Sequence, residues 1–289
     1  MPTPPTTAAR TGIVPRVLSI AGSDPSGGAG IQADLKVFSA FGCYGMTVVT
    51  ALTAQSPRAV TAVHLPPASF VRAQLETLFA DVEVDAVKIG MVASAEIARE
   101  VAAFLRARRD GGLRAPIVLD PVMRSKGGDA LVDAEAVAVI RDELLPLADL
   151  VTPNIHEAAA LLGEPPVRGA LELGAAARRV RALGAGAALV KGGALAASGA
   201  ESTATDALAT AAGLRLLESP RLATRALHGT GCTLSAAATA SLALGRELVA
   251  AVEAAKLYTT WSIIHARALA VGSERGPVHH LHAIEPWTA

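Results

Sequence analysis

Val17-Leu18-Ser19-Ile20-Ala21 is a short apolar run that stops at Gly22-Ser23-Asp24, and the stretch 30–41 behind it has the mixed apolar and polar spacing of an amphipathic helix. Strand, polar turn and helix, in that order, open a β-α-β unit, and the same order recurs along the chain. Strands are predicted over 17–21, 47–51, 86–89, 117–120, 150–152 and 187–190, and helices over 30–41, 67–81, 94–109, 133–145, 156–162 and 171–183. Such alternation implies right-handed crossovers. The expected fold class is therefore α/β, a central, mostly parallel sheet with helices on both faces. A hairpin or edge strands are expected within 199–217, one long helix over 248–271, and the end of the ordered fold at Gly276-Pro277-Val278.

No linker-like stretch divides the 289 residues after about residue 15, so a single domain over 16–289 is expected. The Pro- and Thr-rich residues 1–15 are expected to form a disordered extension. Their first ten residues lack the apolar core of a signal peptide or anchor. The 26 basic and 26 acidic side chains cancel, so no net field favours nucleic acid or an anionic membrane. The Ala-rich stretch 236–244 falls well short of the roughly 20 residues of a spanning helix. Two distant cysteines, Cys43 and Cys232, argue against a disulfide framework and a zinc site and fit a reducing cytoplasm. A small-molecule partner is the class that remains.

In open α/β sheets, ligands bind outside the carboxyl ends of the strands. Polar and glycine residues gather there: Gly22-Ser23-Asp24, Gln55, Gly90-Met91, Asp120-Pro121, Pro153-Asn154 and Lys191-Gly192-Gly193. Farther on, His228-Gly229-Thr230-Gly231-Cys232-Thr233-Leu234-Ser235 feeds the helix predicted over 236–244. A Gly-Thr-Gly turn entering a helix directs unpaired N–H groups and the positive end of the helix dipole at whatever lies in front, which makes an anion hole. Cys232 at the helix start is expected to have a lowered pKa and to serve as a proton acceptor. A simple cap, with Thr230 capping and Cys232 as a small core residue, is the competing reading.

The loop from Gly22 to Gly30 fits neither the G-x-G-x-x-G nor the G-x-x-x-x-G-K-[ST] pattern, which argues against a Rossmann dehydrogenase. Its glycines let backbone approach a flat substrate, over which Asp34 can place a carboxylate, or Asp34 simply offsets a helix dipole. The Gln55 amide both donates and accepts, as the edge of an aminopyrimidine requires, though any loop glutamine does the same. Met91 can cap an aromatic ring or fill a core gap. Asp120 and Glu157, each just past a strand, can hold Mg²⁺, or else complete a turn and a helix N-terminus. Lys191 puts a compact cation where transferring phosphoryl oxygens need one.

Together, Ala21-Gly22-Ser23-Asp24 through Gly30-Ile31-Gln32-Ala33-Asp34-Leu35-Lys36, Ala51-Leu52-Thr53-Ala54-Gln55, Lys88-Ile89-Gly90-Met91, Leu119-Asp120-Pro121-Val122-Met123, Thr152-Pro153-Asn154 with Glu157-Ala158, Lys191-Gly192-Gly193, His228 to Thr233 and Gly276-Pro277-Val278-His279-His280 resemble the hydroxymethylpyrimidine/phosphomethylpyrimidine kinases of the ribokinase-like superfamily. The resemblance implies ATP- and Mg²⁺-dependent phosphorylation of 4-amino-5-hydroxymethyl-2-methylpyrimidine and then of its monophosphate, for thiamine biosynthesis, by a cytoplasmic homodimer. It also implies roles: Asp34, Gln55 and Met91 on the pyrimidine with Ala29 and Thr53 close by, Lys191 on ATP phosphates, Asp120 and Glu157 near Mg²⁺, and Gly229, Thr230, Gly231 and Cys232 as the anion hole, with Cys232 as general base. Pyridoxal kinase of the same fold is the alternative, and a binding protein without turnover is a third reading. Ala194 stands where the family often has His, and Ser56-Pro57 follows Gln55 in place of the more usual Asn-Thr.

Overall fold

The computed structural model describes residues 13–123, 132–193, 195, 203–272 and 276–284. Most of the predicted extension and Ala194 lie outside the described residues. The first unit is β1 (Arg16–Gly22) followed by α1 (Gly30–Ala40), and β2 (Tyr44–Gln55), β4 (Ala86–Ile89), β5 (Ile117–Leu119), β6 (Leu150–Val151) and β7 (Ala188–Lys191) join β1 in a parallel array. Antiparallel β3 (Val60–His64) closes one edge, and antiparallel β8 (Thr203–Thr210) and β9 (Gly213–Pro220) close the other, in the order β3-β2-β1-β4-β5-β6-β7-β8-β9. The chain leaves β1 for β2 on one side and returns to β4 on the other. Loops diverge at that switch point, and the divergence opens a crevice at the carboxyl ends of the strands.

Helices α1, α7 (Thr230–Ala243) and α8 (Leu248–Ile264) cover one face, where Val17, Ala86, Val118 and Leu189 meet Val37, Phe38, Leu234 and Val252. On the other face lie α2 (Ala68–Asp81), α3 (Ala95–Asp110), α4 (Ala134–Val139), α5 (Ile155–Leu162) and α6 (Ala170–Ala182), and there Leu18, Ile20, Ile89 and Leu119 meet Leu75, Val101, Leu105 and Val180. Central strands buried on both faces read as continuous apolar runs. Each fully buried Leu or Ile contributes about 1.5–3 kcal/mol relative to exposure.

The mostly parallel α/β sheet is as expected, and the anticipated hairpin is β8–β9. Three elements differ. Strand β2 is longer than 47–51 and pairs with β3, whose exposed residues carry no alternating apolar signal. Helix α4 stops at Val139 and continues as a wider turn over 140–144 and a tight turn around Pro146, a residue that cannot extend an α-helix. Nor does one helix span 248–271: α8 ends at Ile264, a short turn covers Ala266–Leu269, and Ala270 is left-handed (φ 49°). Near its end, Thr259, Thr260 and Ser262 donate hydroxyls to carbonyls four residues back, bonds that compete with the helical ladder. No helix among the described residues is long and apolar enough to cross a membrane.

Candidate active site

A cavity of about 970 Å³ lies at the switch point, and the Gly-Thr-Gly turn forms part of its wall. Gly229 caps α7 with φ +82°, and a Cβ there would lie 1.7 Å from the Gly28 carbonyl oxygen, so the position requires glycine. Thr230 is the first helical residue, not the cap. Its N–H and its hydroxyl both turn back to the Leu227 carbonyl, at 3.3 and 2.7 Å. Thr233 N–H bonds the Gly229 carbonyl at 2.8 Å. Thr230 N–H is thus taken up, whereas the N–H groups of Gly231 and Cys232 have no acceptor four residues back within the helix.

Beside this turn stand the charges. A Cβ on Gly231 would lie 3.3 Å from Lys191 Nζ and 3.6 Å from Asp120 Oδ2. Lys191 Nζ donates to Asp120 Oδ1 at 2.9 Å, and the same carboxylate accepts from the hydroxyls of Thr152 (3.3 Å) and Ser235 (3.2 Å). Burial opposes the Asp120 charge, yet Lys191 and Lys88 hold its pKa below the ordinary value. Glu157 completes a capping box on α5: Asn154 Oδ1 accepts from the N–H groups of His156 and Glu157, and Glu157 Oε2 accepts from Asn154 N–H at 2.7 Å. Burial, with Asp120 nearby, pushes the Glu157 carboxyl up to about 7 against the pull of Lys191. Two carboxylates sharing one lysine leave negative charge in the wall, and a hydrated divalent cation fits that imbalance. Among the described residues no cluster of three or more His, Cys, Asp or Glu could hold a metal by itself, so phosphate oxygens and water would have to complete its coordination.

The lowered pKa expected for Cys232 is not what the structure gives. Burial pushes the thiol up to about 11, Asp34 and Asp120 add to the rise, and Lys88 and the Gly30 N–H only partly oppose it. Desolvation disfavours the charged sulfur and is the largest contribution.

Met91 and Gln55 reach the cavity together with Ala29. The Met91 methyl packs on Gly22, where a Cβ would lie 2.4 Å from it, and Gln55 Oε1 accepts from the Thr53 hydroxyl at 3.3 Å. Thr53 stands behind the wall, its hydroxyl donating to the Ser23 carbonyl at 2.8 Å. Asp34 is elsewhere. It is 0% exposed, does not line the cavity, and accepts from Ser19 Oγ at 2.5 Å and, at 2.9 Å, from Nζ of Lys88, a residue that does border the cavity. The expectation that its carboxylate lies over a substrate is corrected accordingly. Residue 34 falls on the sheet-facing side of α1, with Val37 and Phe38.

Sequence reasoning gave no role to Asp24, His228 or Lys88. Asp24 Oδ1 accepts from Ser26 N–H and Oγ, and Oδ2 accepts from Ala29 N–H at 2.8 Å and His228 Nε2 at 2.7 Å. Burial disfavours this carboxylate, but His228 and Ser26 hold it down at about 2. A polar residue inside each of two glycine-rich motifs was the available signal, but 204 residues separate the partners. Pro220, Leu222, Leu227 and Ile263 add an apolar wall that no motif announced.

The family model described as phosphomethylpyrimidine kinase matches residues 24–279. A hydroxymethylpyrimidine/phosphomethylpyrimidine kinase of Rhizobium meliloti is 51% identical over 265 residues, covering 92% of this chain and 96% of that protein. The solved phosphomethylpyrimidine kinase of Clostridium difficile is 40% identical with a TM-score of 0.73, over 85% of this chain and 98% of that one. Bacillus subtilis pyridoxal kinase, solved as an ADP complex, is 36% identical with a TM-score of 0.83, over 93% and 98%. The fold is ribokinase-like, as the motifs implied. With its glycine turn, its strand-end lysine and a match running through nearly every motif, the chain belongs to the phosphomethylpyrimidine kinase family.

Proposed function

We infer that this chain transfers the γ-phosphoryl group of ATP to the hydroxymethyl oxygen of 4-amino-5-hydroxymethyl-2-methylpyrimidine, and a second one to the phosphate of the monophosphate so formed, for thiamine biosynthesis. The observation that carries the reading is that one cavity gathers the Gly229–Cys232 turn, Lys191, Asp120 and Glu157 with Gln55 and Met91. Phosphoryl transfer is mostly positioning and charge stabilisation, and that is what these groups supply. In the first step the acceptor oxygen bonds to the γ-phosphorus, the bond from phosphorus to the leaving ADP oxygen breaks, and Cys232, as thiolate, takes the hydroxyl proton. Lys191 and the N–H groups of Gly231 and Cys232 balance the charge on the transferring oxygens. In the second step a phosphate oxygen attacks, and above its second pKa of about 6 it has no proton to lose. Cys232 is then dispensable as a base.

Asp120 and Glu157 would hold Mg²⁺, chiefly through water; when bound, it offsets phosphate charge and the Asp120 charge that disfavours the thiolate. Gln55 reads the aminopyrimidine edge, Met91 covers the ring, and Ala29 and Thr53 shape the wall. The same reading includes a cytoplasmic homodimer, to which Leu257, Trp261 and Ile264, exposed one and two turns apart on α8, offer an apolar face. Pyridoxal as acceptor is the second reading, supported by the likeness to Bacillus subtilis pyridoxal kinase.

The test is ADP release from MgATP with the pyrimidine alcohol, its monophosphate and pyridoxal offered separately to wild type and Cys232→Ala. Wild type is expected to turn over both pyrimidines. The variant should lose about 10²- to 10⁴-fold in kcat with the alcohol and far less with the monophosphate. Turnover of pyridoxal alone sinks the pyrimidine reading, and equal losses with both pyrimidines remove Cys232 as the base.

A further inference from the structure

Gly28, Gly229 and His228 meet where three distant loops cross. A Cβ on Gly28 would lie 2.4 Å from His228 Cδ2 and 2.9 Å from Pro277 Cβ, and one on Gly229 would strike the Gly28 carbonyl. The loops therefore touch backbone to backbone. His228 N–H donates to Gly276 O at 3.3 Å, and Val278 N–H donates to His228 O at 3.1 Å, so the Gly276-Pro277-Val278 motif straps the histidine from behind. From the front, the buried His228 ring reaches Asp24, the residue that also holds Ser26 and the N–H of Ala29 at the start of α1. An ionised carboxylate only accepts, so His228 Nε2 is the donor. Asp24 is anchored in turn, its N–H donating to Gln32 Oε1 at 2.8 Å.

We propose that the Asp24–His228 hydrogen bond is a positioning latch: it locks the loop carrying Ala29, on the acceptor wall, to the residue immediately before Gly229, and so sets where the Gly231 and Cys232 N–H groups stand relative to the acceptor. His228 is a positioning residue that acts through the anion hole. Placement is where the energetic leverage lies, because a shift of about 1 Å in catalytic groups can cost about 10²-fold in rate. The latch explains two features that the transfer chemistry leaves unused, a buried carboxylate–imidazole pair in the cavity wall and the Gly-Pro-Val motif near the C-terminus.

The inference deepens the kinase reading and rests on it for its kinetic arm. That arm compares wild type with His228→Ala, His228→Gln, which returns an N–H donor near the position of Nε2, and Asp24→Asn, whose single acceptor oxygen cannot serve Ser26 on one side and Ala29 with His228 on the other. His228→Ala and Asp24→Asn should lower kcat about 10- to 100-fold with KM for ATP and acceptor within about twofold, and His228→Gln should recover most of the loss. A second arm needs no acceptor: binding of MgADP with and without tetrafluoroaluminate, a mimic of the transferring phosphoryl group. Removal of the latch should weaken the tetrafluoroaluminate complex about tenfold or more and leave MgADP itself within about twofold. A residue that merely supports the fold would lower both together, or lower only the folded fraction. The proposal is overturned if His228→Ala keeps wild-type kcat, if His228→Gln is no better than His228→Ala, or if MgADP alone weakens in parallel. Wild type that discriminates tetrafluoroaluminate yet phosphorylates no pyrimidine sinks the pyrimidine reading and leaves the latch to be judged by the second arm. If His228→Ala does not fold, Asp24→Asn decides.

Discussion

Two lysines near the carboxyl ends of parallel strands, Lys88 in β4 and Lys191 in β7, each donate to an aspartate at 2.9 Å, yet they occupy opposite situations. Both side chains of the Lys88–Asp34 pair are 0% exposed, whereas Lys191 keeps 14% of its side chain open above Asp120. Asp34 meets the cation of the first pair from the buried side of α1, and Lys88 borders the cavity without exposing its ammonium. In front of the second is only the first turn of α7, where Gly231 has no side chain to block the ammonium. Chemically similar pairs thus divide into one that holds the floor together and one that can release its cation toward a phosphate. Charge burial is costly in both, and the partly open second pair is the better placed to return that cost as transition-state stabilisation.

Removal of the sealed cation should give the largest effect on folding. Lys88→Met leaves the buried Asp34 carboxyl without its cation, which costs about 3–5 kcal/mol, and Lys88→Met with Asp34→Leu should recover most of it. Urea unfolding of both variants checks this. A single variant as stable as wild type but inactive would break the comparison, since Lys88 would then act in chemistry. Lys191→Met is expected to lower kcat about 10²- to 10³-fold, or about 2.7–4 kcal/mol, with a smaller stability loss than Lys88→Met. A large stability loss with near-normal kcat would make the two pairs equivalent after all.

The smallest and most diagnostic effect concerns Cys232, which feels both pairs: Lys88 favours its thiolate, Asp34 and Asp120 disfavour it. Alkylation requires the thiolate, and with the thiol pushed up to about 11 only about one molecule in 10⁴ is reactive at pH 7. The rate of iodoacetamide addition to Cys232, mapped by mass spectrometry to separate it from Cys43, should therefore climb about tenfold per pH unit from 7 to 10. A plateau already below pH 8 would mean that the helix terminus and Lys88 win over burial.

Much of this was legible in the chain. The alternation of apolar runs and amphipathic stretches specified the parallel sheet, because central strands covered on both faces must be apolar throughout. Strand β3 was not legible, since exposed edge residues carry no such constraint, and neither was the end of α8, where local hydroxyl bonds decide. In the site, Lys191, Asp120, Glu157, Gln55, Met91 and the Gly229–Cys232 turn were readable as strand-end or helix-start residues, Ala29 came only from the resemblance, and all seven of these elements line one cavity. Asp34 was misread because a helix face is set by what it packs against: Ser19 and Lys88, from two other strands, supply the polar partners that keep a carboxylate inside.

By itself the sequence determined the fold class, the order of the elements and the Gly-Thr-Gly turn that opens a helix, since periodicity and turn chemistry act over a few neighbouring residues. Which lysine stays partly open, where Asp34 points, how the Cys232 thiol titrates and which carboxylate meets His228 were decided only by tertiary structure. Those properties depend on desolvation and on partners 50 to 200 residues away, and a chain acquires them only when its layers close.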